Sequence, residues 1–169
     1  MSSSKKVFVF DLNGTLLARV KENKGKLMKM QEPDGVLSGP GDLIYLRPHL
    51  GELVEFLHKN NVQYALWTTA MEHNGVRLAS MVEKAGMTKA LGKYYHAHSE
   101  PIKGHPYKRS KNMQVVASAT GVSIEDVFLI DDEVLKCIPV SCHIPIEEYK
   151  PLEEDTELLR IIEVIKGHL

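Results

Sequence analysis

The chain has 169 residues, 43% of them hydrophobic, which is enough for a single globular domain over residues 1–169 with a substantial core. Its 21 basic and 22 acidic residues leave a net charge of −1, so no overall field favours direct binding to nucleic acid or to an anionic membrane. No apolar run approaches the ~20 residues of a membrane-spanning helix. The two cysteines, Cys137 and Cys142, are interpreted as buried thiols, which indicates a reducing intracellular compartment, the nucleus or the cytoplasm.

The first predicted strand, residues 7–10, consists of alternating valine and phenylalanine and is typical of a strand buried on both faces. Asp11 follows it directly, and a tight turn containing Gly14 comes next. In open parallel sheets, ligands bind in the crevice beyond the carboxyl ends of the strands. Asp11 is therefore expected at the floor of a site, the alternative being an aspartate that merely caps a turn.

Residues 17–46 lack sustained helical periodicity, and apolar segments alternate there with turns such as the one at residues 33–35. Residues 27–30 and 43–46 are predicted as short strands. The segment is therefore interpreted as a small β insertion after the first strand, and not as a linker.

From residue 47 onward the predicted helices and strands alternate, which indicates an α/β fold with a mostly parallel central sheet flanked by helices. Arg47 and Pro48 open a helix, because proline is tolerated at the first helical position. Residues 99–110 are predicted to form a loop, and Asp155 is expected to cap the last helix. The other predicted elements are strands at 62–67, 94–97, 127–130 and 137–144, a helix that stops at Gly86, and a helix from about Lys111 to Gly121.

Candidate functional residues lie at the carboxyl ends of the predicted strands or in the loop that faces them. Two separate acidic strand ends are costly unless a positive charge lies between them. Mg²⁺ suits such a place, since it prefers oxygen ligands and commonly binds a few carboxylates together with phosphate. The candidates are Asp11, Thr68, Thr69, Lys111 or Lys108, and the pair Asp131 and Asp132.

This set of residues suits phosphoryl transfer, in which positioning and charge neutralisation supply most of the catalysis. Asp11 would attack phosphorus and form an aspartyl phosphate. Thr68 and Lys111 would hold the phosphoryl oxygens, with Thr69 and Lys108 as further substrate-binding candidates. Mg²⁺ would shield the Asp11 carboxylate from the phosphate that it approaches.

The turn sequence Asp11-Leu12-Asn13-Gly14-Thr15 resembles the Asp-x-Asp-x-Thr signature of the haloacid dehalogenase (HAD) superfamily, which has a Rossmann-like fold. Further segments resemble one branch of it, the CTD-phosphatase-like or NLI-interacting-factor-like (FCP1-homology) proteins. Residues 45–57 are similar to that branch's arginine–proline helix, 66–70 to its Thr-Ala-Ser segment, 111–113 to its Lys-Asp-Leu segment and 130–132 to its closing acidic pair.

The resemblance implies Mg²⁺-dependent hydrolysis of phosphoserine or phosphothreonine in a phosphorylated protein or peptide segment. The metal ligands that it implies are the Asp11 carboxylate, the backbone carbonyl of Asn13, and the pair Asp131 and Asp132. Which aspartate of the pair touches the ion directly stays open, as does the oligomeric state.

Asn13 departs from the family pattern, in which an aspartate at that position protonates the leaving alkoxide and later activates water. An amide does neither at neutral pH, and general acid–base catalysis is typically worth ~10²–10⁴-fold. Three interpretations stay open: a pseudophosphatase that binds phosphopeptides or acts as a scaffold, a slow enzyme with a substitute base such as His96 or His98, and a laboratory substitution that traps a complex.

Two other interpretations are weaker. The grouping of His96, His98 and His105, and that of Cys137, Cys142 and His143, lack the paired spacing of a structural zinc site. A phosphatase of small metabolites is disfavoured, because the insertion is too short to form a full cap over a small-molecule site.

Overall fold

The computed structural model of the chain describes residues 5–22 and 32–169. Its helices are α1 (Leu50–Lys59), α2 (Glu72–Lys84), α3 (Met113–Thr120) and α4 (Glu157–His168). Its strands are β1 (Val7–Phe10), β2 (Leu17–Lys21), β3 (Gly35–Leu37), β4 (Asp42–Leu46), β5 (Gln63–Trp67), β6 (Lys93–Tyr94), β7 (Glu100–Ile102), β8 (His105–Asn112), β9 (Val127–Asp131), β10 (Cys137–Ile138) and β11 (His143–Pro145).

The central sheet has five strands in the order β11–β9–β1–β5–β6, and every pair of neighbours runs parallel. The predicted α/β fold, with a mostly parallel sheet flanked by helices, is confirmed. In this order β1 is the middle strand, with β9 on one side and β5 on the other. The residues that follow these three strands therefore lie side by side at one edge of the sheet.

The alternating sequence of β1 divides the core into two layers. Phe8 and Phe10 face the layer that contains the buried sides of α1, α2 and α4, including Leu53, Leu78 and Ile161. Val7 and Val9 face the layer that contains α3 and Trp67. All four side chains of β1 are fully buried, as the apolar run predicted. Trp67 is a core residue, with no exposed surface.

A small antiparallel sheet in the order β2–β4–β3 follows the turn after β1, where the insertion was predicted. The prediction of a strand at residues 43–46 is confirmed by β4. The predicted strand at residues 27–30 lies outside the described residues. Strand β2 was not predicted, because its sequence mixes two charged residues into five positions and its pairing with β4 is visible only in three dimensions.

The prediction of a loop over residues 99–110 is wrong. Strands β7 and β8 form an antiparallel hairpin there, with a turn at Gly104, and β10 pairs in parallel with β8. The prolines that suggested a loop lie in this hairpin, outside the central sheet. Consequently Lys111 belongs to a strand, and α3 begins only at Met113, where the Asn112 side chain accepts the N–H of Gln114 at 2.9 Å.

Three other boundaries differ from the predictions. The predicted strand at 94–97 ends at Tyr94 and is followed by a 3₁₀ turn, His96–His98. The predicted strand at 137–144 is two strands, β10 and β11, separated by the 3₁₀ turn Val140–Cys142. Helix α4 has Thr156 at its N-cap position, while the Asp155 carboxylate accepts the N–H of Glu157 at 3.1 Å.

Both cysteines are buried free thiols, as predicted. Within residues 5–22 and 32–169, no helix is long and apolar enough to cross a membrane.

Candidate active site

The turn after β1 positions Asp11. The N–H of Asp11 donates to the carbonyl of Ile130 at 3.1 Å, so the pairing of β1 with β9 continues to the start of the turn. Gly14 has a φ of 90°, which side-chain-bearing residues rarely adopt, and a Cβ at this position would lie 2.9 Å from Oδ2 of Asp132. Glycine therefore allows the turn to approach the acidic end of β9.

Lys111 links the two acidic strand ends. Its Nζ donates to Oδ1 of Asp11 and to Oδ2 of Asp131, each at 2.8 Å. The exposed fraction of the side chain is 0% for Lys111 and Asp131 and 6% for Asp11. A buried network of two carboxylates and one ammonium is stable only with such close contacts, because each ion loses its hydration.

The electrostatic balance of this network favours additional positive charge. Burial, with the charge of Asp131, raises the pKa of Asp11, and the Lys111 ammonium only partly opposes this. Burial has the same tendency at Asp131, but Lys111 and the N–H of Glu133, which donates to Oδ1 at 2.9 Å, hold the pKa of Asp131 below its ordinary value. The carboxylates of Asp11 and Asp131 outweigh burial at Lys111 and raise its pKa, so the lysine stays charged.

Asp132 adds a third carboxylate to the same place. Burial and the charges of Asp11 and Asp131 raise its pKa to about 7, so Asp132 exchanges its proton near neutral pH. Among the described residues, these three aspartates are the group whose ligand atoms lie close enough together for a metal ion, within 4.8 Å of one another.

The donor set fits a hard divalent cation. Three carboxylates converge and Lys111 supplies one compensating charge, while burial, together with the neighbouring carboxylate charges, raises the pKa values of Asp11 and Asp132. The carbonyl of Leu12 accepts hydrogen bonds within the turn and that of Gly14 accepts them from Tyr149 and Arg47, whereas no hydrogen bond among the described residues uses the carbonyl of Asn13. The residues predicted from sequence to hold Mg²⁺ are therefore all compatible with that ion.

Of the predicted substrate-binding residues, Thr68 follows β5, whose Leu66 pairs with Phe10, so it lies at the same sheet edge as Asp11. Thr68 is buried, and its Oγ1 accepts the N–H of Ala70 at 3.2 Å, which leaves the hydroxyl hydrogen to donate. Thr69 is half-buried beside it. Lys108 differs from Lys111, because it faces Glu133 at 3.6 Å and makes no ion pair with the aspartates in the described part of the chain.

Asn13 is exposed, in contrast to its neighbours Asp11 and Leu12. Its Oδ1 accepts the backbone N–H of Arg19, in β2, at 3.2 Å. The side chain therefore links the turn to the small sheet. It offers an amide where the family has a carboxylic acid.

Sequence reasoning missed Arg47 as a site residue. Its guanidinium is fully buried and binds both oxygens of Asp155, at 2.9 and 2.8 Å. It also donates to the carbonyls of Gly14 and Thr15, at 3.2 and 3.0 Å, and to that of Glu147 at 2.7 Å. Arg47 thus positions the turn that carries Asp11. An arginine directly after the apolar run 43–46 was the available signal, since a charge there is buried and needs partners.

The histidines do not form a metal site among the described residues. His98 Nδ1 accepts the N–H of Tyr95 at 3.0 Å, and the His98 ring packs against Tyr94. The backbone N–H of His96 donates to the carbonyl of Ala70 at 3.0 Å. His143 Nε2 lies 2.8 Å from the carbonyl of Asp131, where it supports the end of β9.

The parallel sheet and the aspartate turn define a HAD-type fold. The chain belongs to the NLI interacting factor-like phosphatase family, whose family model matches residues 6–169. Phosphatases of the HAD type generally use a divalent metal ion, commonly Mg²⁺. A comparison with the curated proteins finds no match.

Solved structures share the fold at low identity. A variant of the fission yeast RNA polymerase II CTD phosphatase Fcp1, bound to beryllium fluoride, superposes with a TM-score of 0.60 at 14% identity, over 98% of this chain and 50% of that one. A second Fcp1 structure superposes with a TM-score of 0.57 at 15% identity, over 97% of this chain and 50% of that one. A HAD-superfamily hydrolase from Ehrlichia chaffeensis superposes with a TM-score of 0.55 at 16% identity, over 98% of each chain. The chain spans about half the length of the Fcp1 structures that it matches.

Proposed function

We propose that the chain is a Mg²⁺-dependent phosphatase of phosphoserine or phosphothreonine in a protein segment, that it acts through an aspartyl phosphate on Asp11, and that Asn13 slows it. The observation that carries the proposal is the buried contact of Lys111 with Asp11 and Asp131, beside a third carboxylate, Asp132. A nucleophile, a cationic anion-binding group and a set of metal ligands meet there at one sheet edge.

In the first step, a carboxylate oxygen of Asp11 forms a bond to phosphorus while the bond from phosphorus to the serine or threonine oxygen breaks. Oδ1 accepts a hydrogen bond from Lys111, whereas Oδ2 accepts, within the described residues, a long one of 3.4 Å from the Thr15 hydroxyl. Lys111 and the hydroxyl of Thr68 would bind the phosphoryl oxygens. When bound, Mg²⁺ would offset the charges of phosphate and carboxylate as they approach.

The leaving alkoxide needs a proton, and the amide of Asn13 has none to give at neutral pH. In the proposed reaction, solvent water supplies that proton. In the second step water attacks phosphorus without a base at position 13, which releases inorganic phosphate and restores the Asp11 carboxylate. A phenolate leaving group needs far less protonation than a serine alkoxide. The proposal therefore predicts a much smaller handicap on aryl phosphates than on phosphopeptides.

A phosphopeptide substrate is favoured over a small metabolite, because the described part of the insertion is a sheet of three short strands and not a cap domain. The relatives named as RNA polymerase II CTD phosphatases are consistent with a protein substrate.

A second function is supported by Asn13 itself. With binding residues retained and the acid–base residue replaced, the chain would serve as a phosphopeptide-binding or scaffold module without turnover.

The test compares the chain with its Asn13→Asp variant on an aryl phosphate and on a phosphoserine peptide, with Mg²⁺ present. The proposed phosphatase gives aryl hydrolysis in both forms and a gain of about 10²–10⁴-fold in peptide hydrolysis in the variant, where a carboxyl group can again act as acid and base. Asn60→Asp is the matched control, because Asn60 caps α1 and its side chain bonds only the Phe56 carbonyl among the described residues. No turnover in either form, with intact peptide binding, supports the binding module instead. Turnover of small phosphate esters alone would contradict both.

A further inference from the structure

Glu133 lies between two lysines beside the candidate active site. Its Oε2 is 3.6 Å from Nζ of Lys108 and 3.5 Å from Nζ of Lys136. Lys108 comes from β8 and Lys136 from the 3₁₀ turn Val134–Lys136, so two different segments present their ammonium groups to one carboxylate. Neither Glu133 nor Lys136 has a role in the mechanism proposed above.

These contacts are loose. Charge-assisted hydrogen bonds between nitrogen and oxygen are typically about 2.7–2.9 Å long, and the buried Oε2 accepts no hydrogen bond within the described residues. The side chains are 44% exposed at Lys108, 33% at Glu133 and 18% at Lys136, unlike the fully buried Lys111. A carboxylate that is held by contacts this long, on a side chain that is one-third exposed, can leave the two lysines at little cost.

The lysine pair adjoins the catalytic aspartates. Glu133 follows Asp132, and its N–H donates to Oδ1 of Asp131. The charge of Lys136 reaches both aspartates: it slightly opposes the rise that burial causes in the pKa of Asp11, and it adds slightly to the effect of Lys111, which lowers the pKa of Asp131. An anion bound by Lys108 and Lys136 would therefore lie beside the site of the scissile phosphate. The scissile phosphate itself would be bound by Lys111.

We propose that Lys108 and Lys136 form a second anion subsite, which binds a phosphate or a carboxylate on a residue that flanks the phosphorylated one, and that Glu133 fills this subsite in the free protein. The inference rests on the proposed phosphopeptide site. On binding, the substrate anion takes the place of the Glu133 carboxylate between the two ammonium groups.

The charges predict an order of preference. Two lysines carry two positive charges, and Glu133 neutralises one of them. A carboxylate on the substrate replaces Glu133 charge for charge, whereas a phosphate brings close to two negative charges. Peptides should therefore bind in the order second phosphate, then glutamate, then neutral flank.

The experiment measures fluorescence anisotropy of labelled peptides at fixed Mg²⁺ and ionic strength. Each peptide carries a non-hydrolysable phosphonate analogue of phosphoserine, flanked by alanine, by glutamate or by phosphoserine. For the unaltered chain we expect about threefold tighter binding with a glutamate flank and about tenfold with a phosphoserine flank, from one or two partly exposed charge pairs. Both preferences should weaken as salt is raised.

Three variants sharpen the test. The double variant Lys108→Met, Lys136→Met should reduce both preferences to less than about twofold, since it removes the two ammonium groups that bind the flanking anion. Glu133→Gln keeps the backbone bond to Asp131 and removes the competing charge, so it should increase both preferences by about twofold to fivefold. Lys166→Met is the matched control, because Lys166 also pairs loosely with a glutamate, Glu163 at 3.2 Å, but lies in α4 near its end at His168.

Equal affinity for the three peptides, absence of binding by all of them, or preferences that survive in the double lysine variant would overturn the subsite. Its failure is distinct from failure of the proposed function. Phosphopeptide hydrolysis without flank preference refutes the subsite alone, whereas flank preference without hydrolysis in the Asn13→Asp variant refutes the phosphatase alone.

Discussion

Lys111 and Arg47 are both cations with fully buried side chains, and both bind carboxylates at about 2.8 Å, yet their surroundings differ. Among the described residues, Arg47 forms its ion pair with Asp155 alone and uses its other donors on three backbone carbonyls. Lys111 faces Asp11 and Asp131, with Asp132 alongside. The charge of Arg47 is balanced, whereas the aspartates around Lys111 outnumber it.

This difference separates a positioning residue from a functional one. A buried ion pair whose charges cancel and whose donors are all hydrogen-bonded holds the backbone in place and gains nothing from binding another ion. In a cluster where carboxylates outnumber cations, burial and mutual repulsion raise pKa values, as at Asp11 and Asp132, and a bound cation stabilises the cluster. Four predictions test the comparison, from the largest expected effect to the smallest.

The largest effect concerns the two aspartates. In the Asn13→Asp background, Asp11→Asn should lower aryl phosphate hydrolysis about 10³-fold or more, since the nucleophile is lost. It should leave the free energy of unfolding unchanged or higher, because it removes a charge whose pKa burial raises. Asp155→Asn should instead destabilise the fold by about 3 kcal/mol, because Arg47 stays buried without its anion. Steady-state kinetics measure the loss of activity and urea unfolding measures the loss of stability. A large loss of stability in Asp11→Asn, with none in Asp155→Asn, would contradict the comparison.

Next come the two cations. Arg47→Met and Lys111→Met should each lower the free energy of unfolding by about 3–5 kcal/mol in metal-free buffer, since each leaves carboxylates without a buried partner. Mg²⁺ that binds the native site stabilises every form that keeps the three aspartates, so recovery is counted beyond the gain that Mg²⁺ gives the unaltered chain. On that scale Mg²⁺ should recover part of the loss in Lys111→Met, whose aspartates lack their ammonium partner, and none in Arg47→Met. Lys93→Met, which breaks a partly exposed pair with Glu83, serves as control and should cost less than about 1 kcal/mol. Equal recovery by Mg²⁺ in both variants would refute the distinction.

The third prediction concerns pH. The pKa of Asp132 is raised to about 7 in the metal-free protein, so the folded state keeps a proton that the unfolded state loses near pH 4. Its contribution to stability is therefore full below about pH 4 and is lost as pH rises through 7. Since Mg²⁺ competes with this proton, Mg²⁺ should bind more weakly at low pH, with an apparent dissociation constant about tenfold higher at pH 6 than at pH 8.

Isothermal titration calorimetry at the two pH values measures that ratio. Asp132→Asn is the matching control, because it should bind Mg²⁺ more weakly but with much less dependence on pH. A ratio near one in the unaltered chain would contradict the raised pKa of Asp132.

The smallest effect belongs to an ordinary surface pair, Glu157 and Arg160. Hydrogen bonds from Arg160 lower the pKa of Glu157 to about 2, despite partial burial. Its stabilisation is present above pH 4.5 and is lost as pH falls towards 2. Because Arg160 is 46% exposed, Glu157→Gln should cost only about 0.5 kcal/mol at pH 7, measured by urea unfolding at low salt. If Glu157→Gln lowered the free energy of unfolding as much as Arg47→Met does, buried and exposed ion pairs would not differ and the comparison would fail.

Some features were predictable because they depend on short stretches of chain. The alternating valines and phenylalanines of β1 give both buried faces, and Asp11 follows at the carboxyl end. The apolar run 127–130 gives β9 in the same way, with Asp131 and Asp132 after it. Parallel strands place their carboxyl ends together, so the meeting of these acids followed from two local patterns and one general rule.

Other features were missed because they depend on contacts between distant residues. The hairpin of β7 and β8 has prolines and a glycine that locally favour a loop, and it is held by strand pairing, including that of β8 with β10. The extended conformation of Lys111 follows from that pairing. From sequence alone Arg47 indicates only the start of a helix, because its anion, Asp155, lies 108 positions away.

The sequence by itself determined the α/β layering, the aspartate turn, the candidate ligands and the amide at position 13. Each of these is a matter of residue type and short-range periodicity. The tertiary structure decided which cations meet which anions: Lys111 between two aspartates, Arg47 on Asp155, and Glu133 between Lys108 and Lys136. The reason is that electrostatic energy depends on distance and burial, and neither quantity is set until the chain has folded.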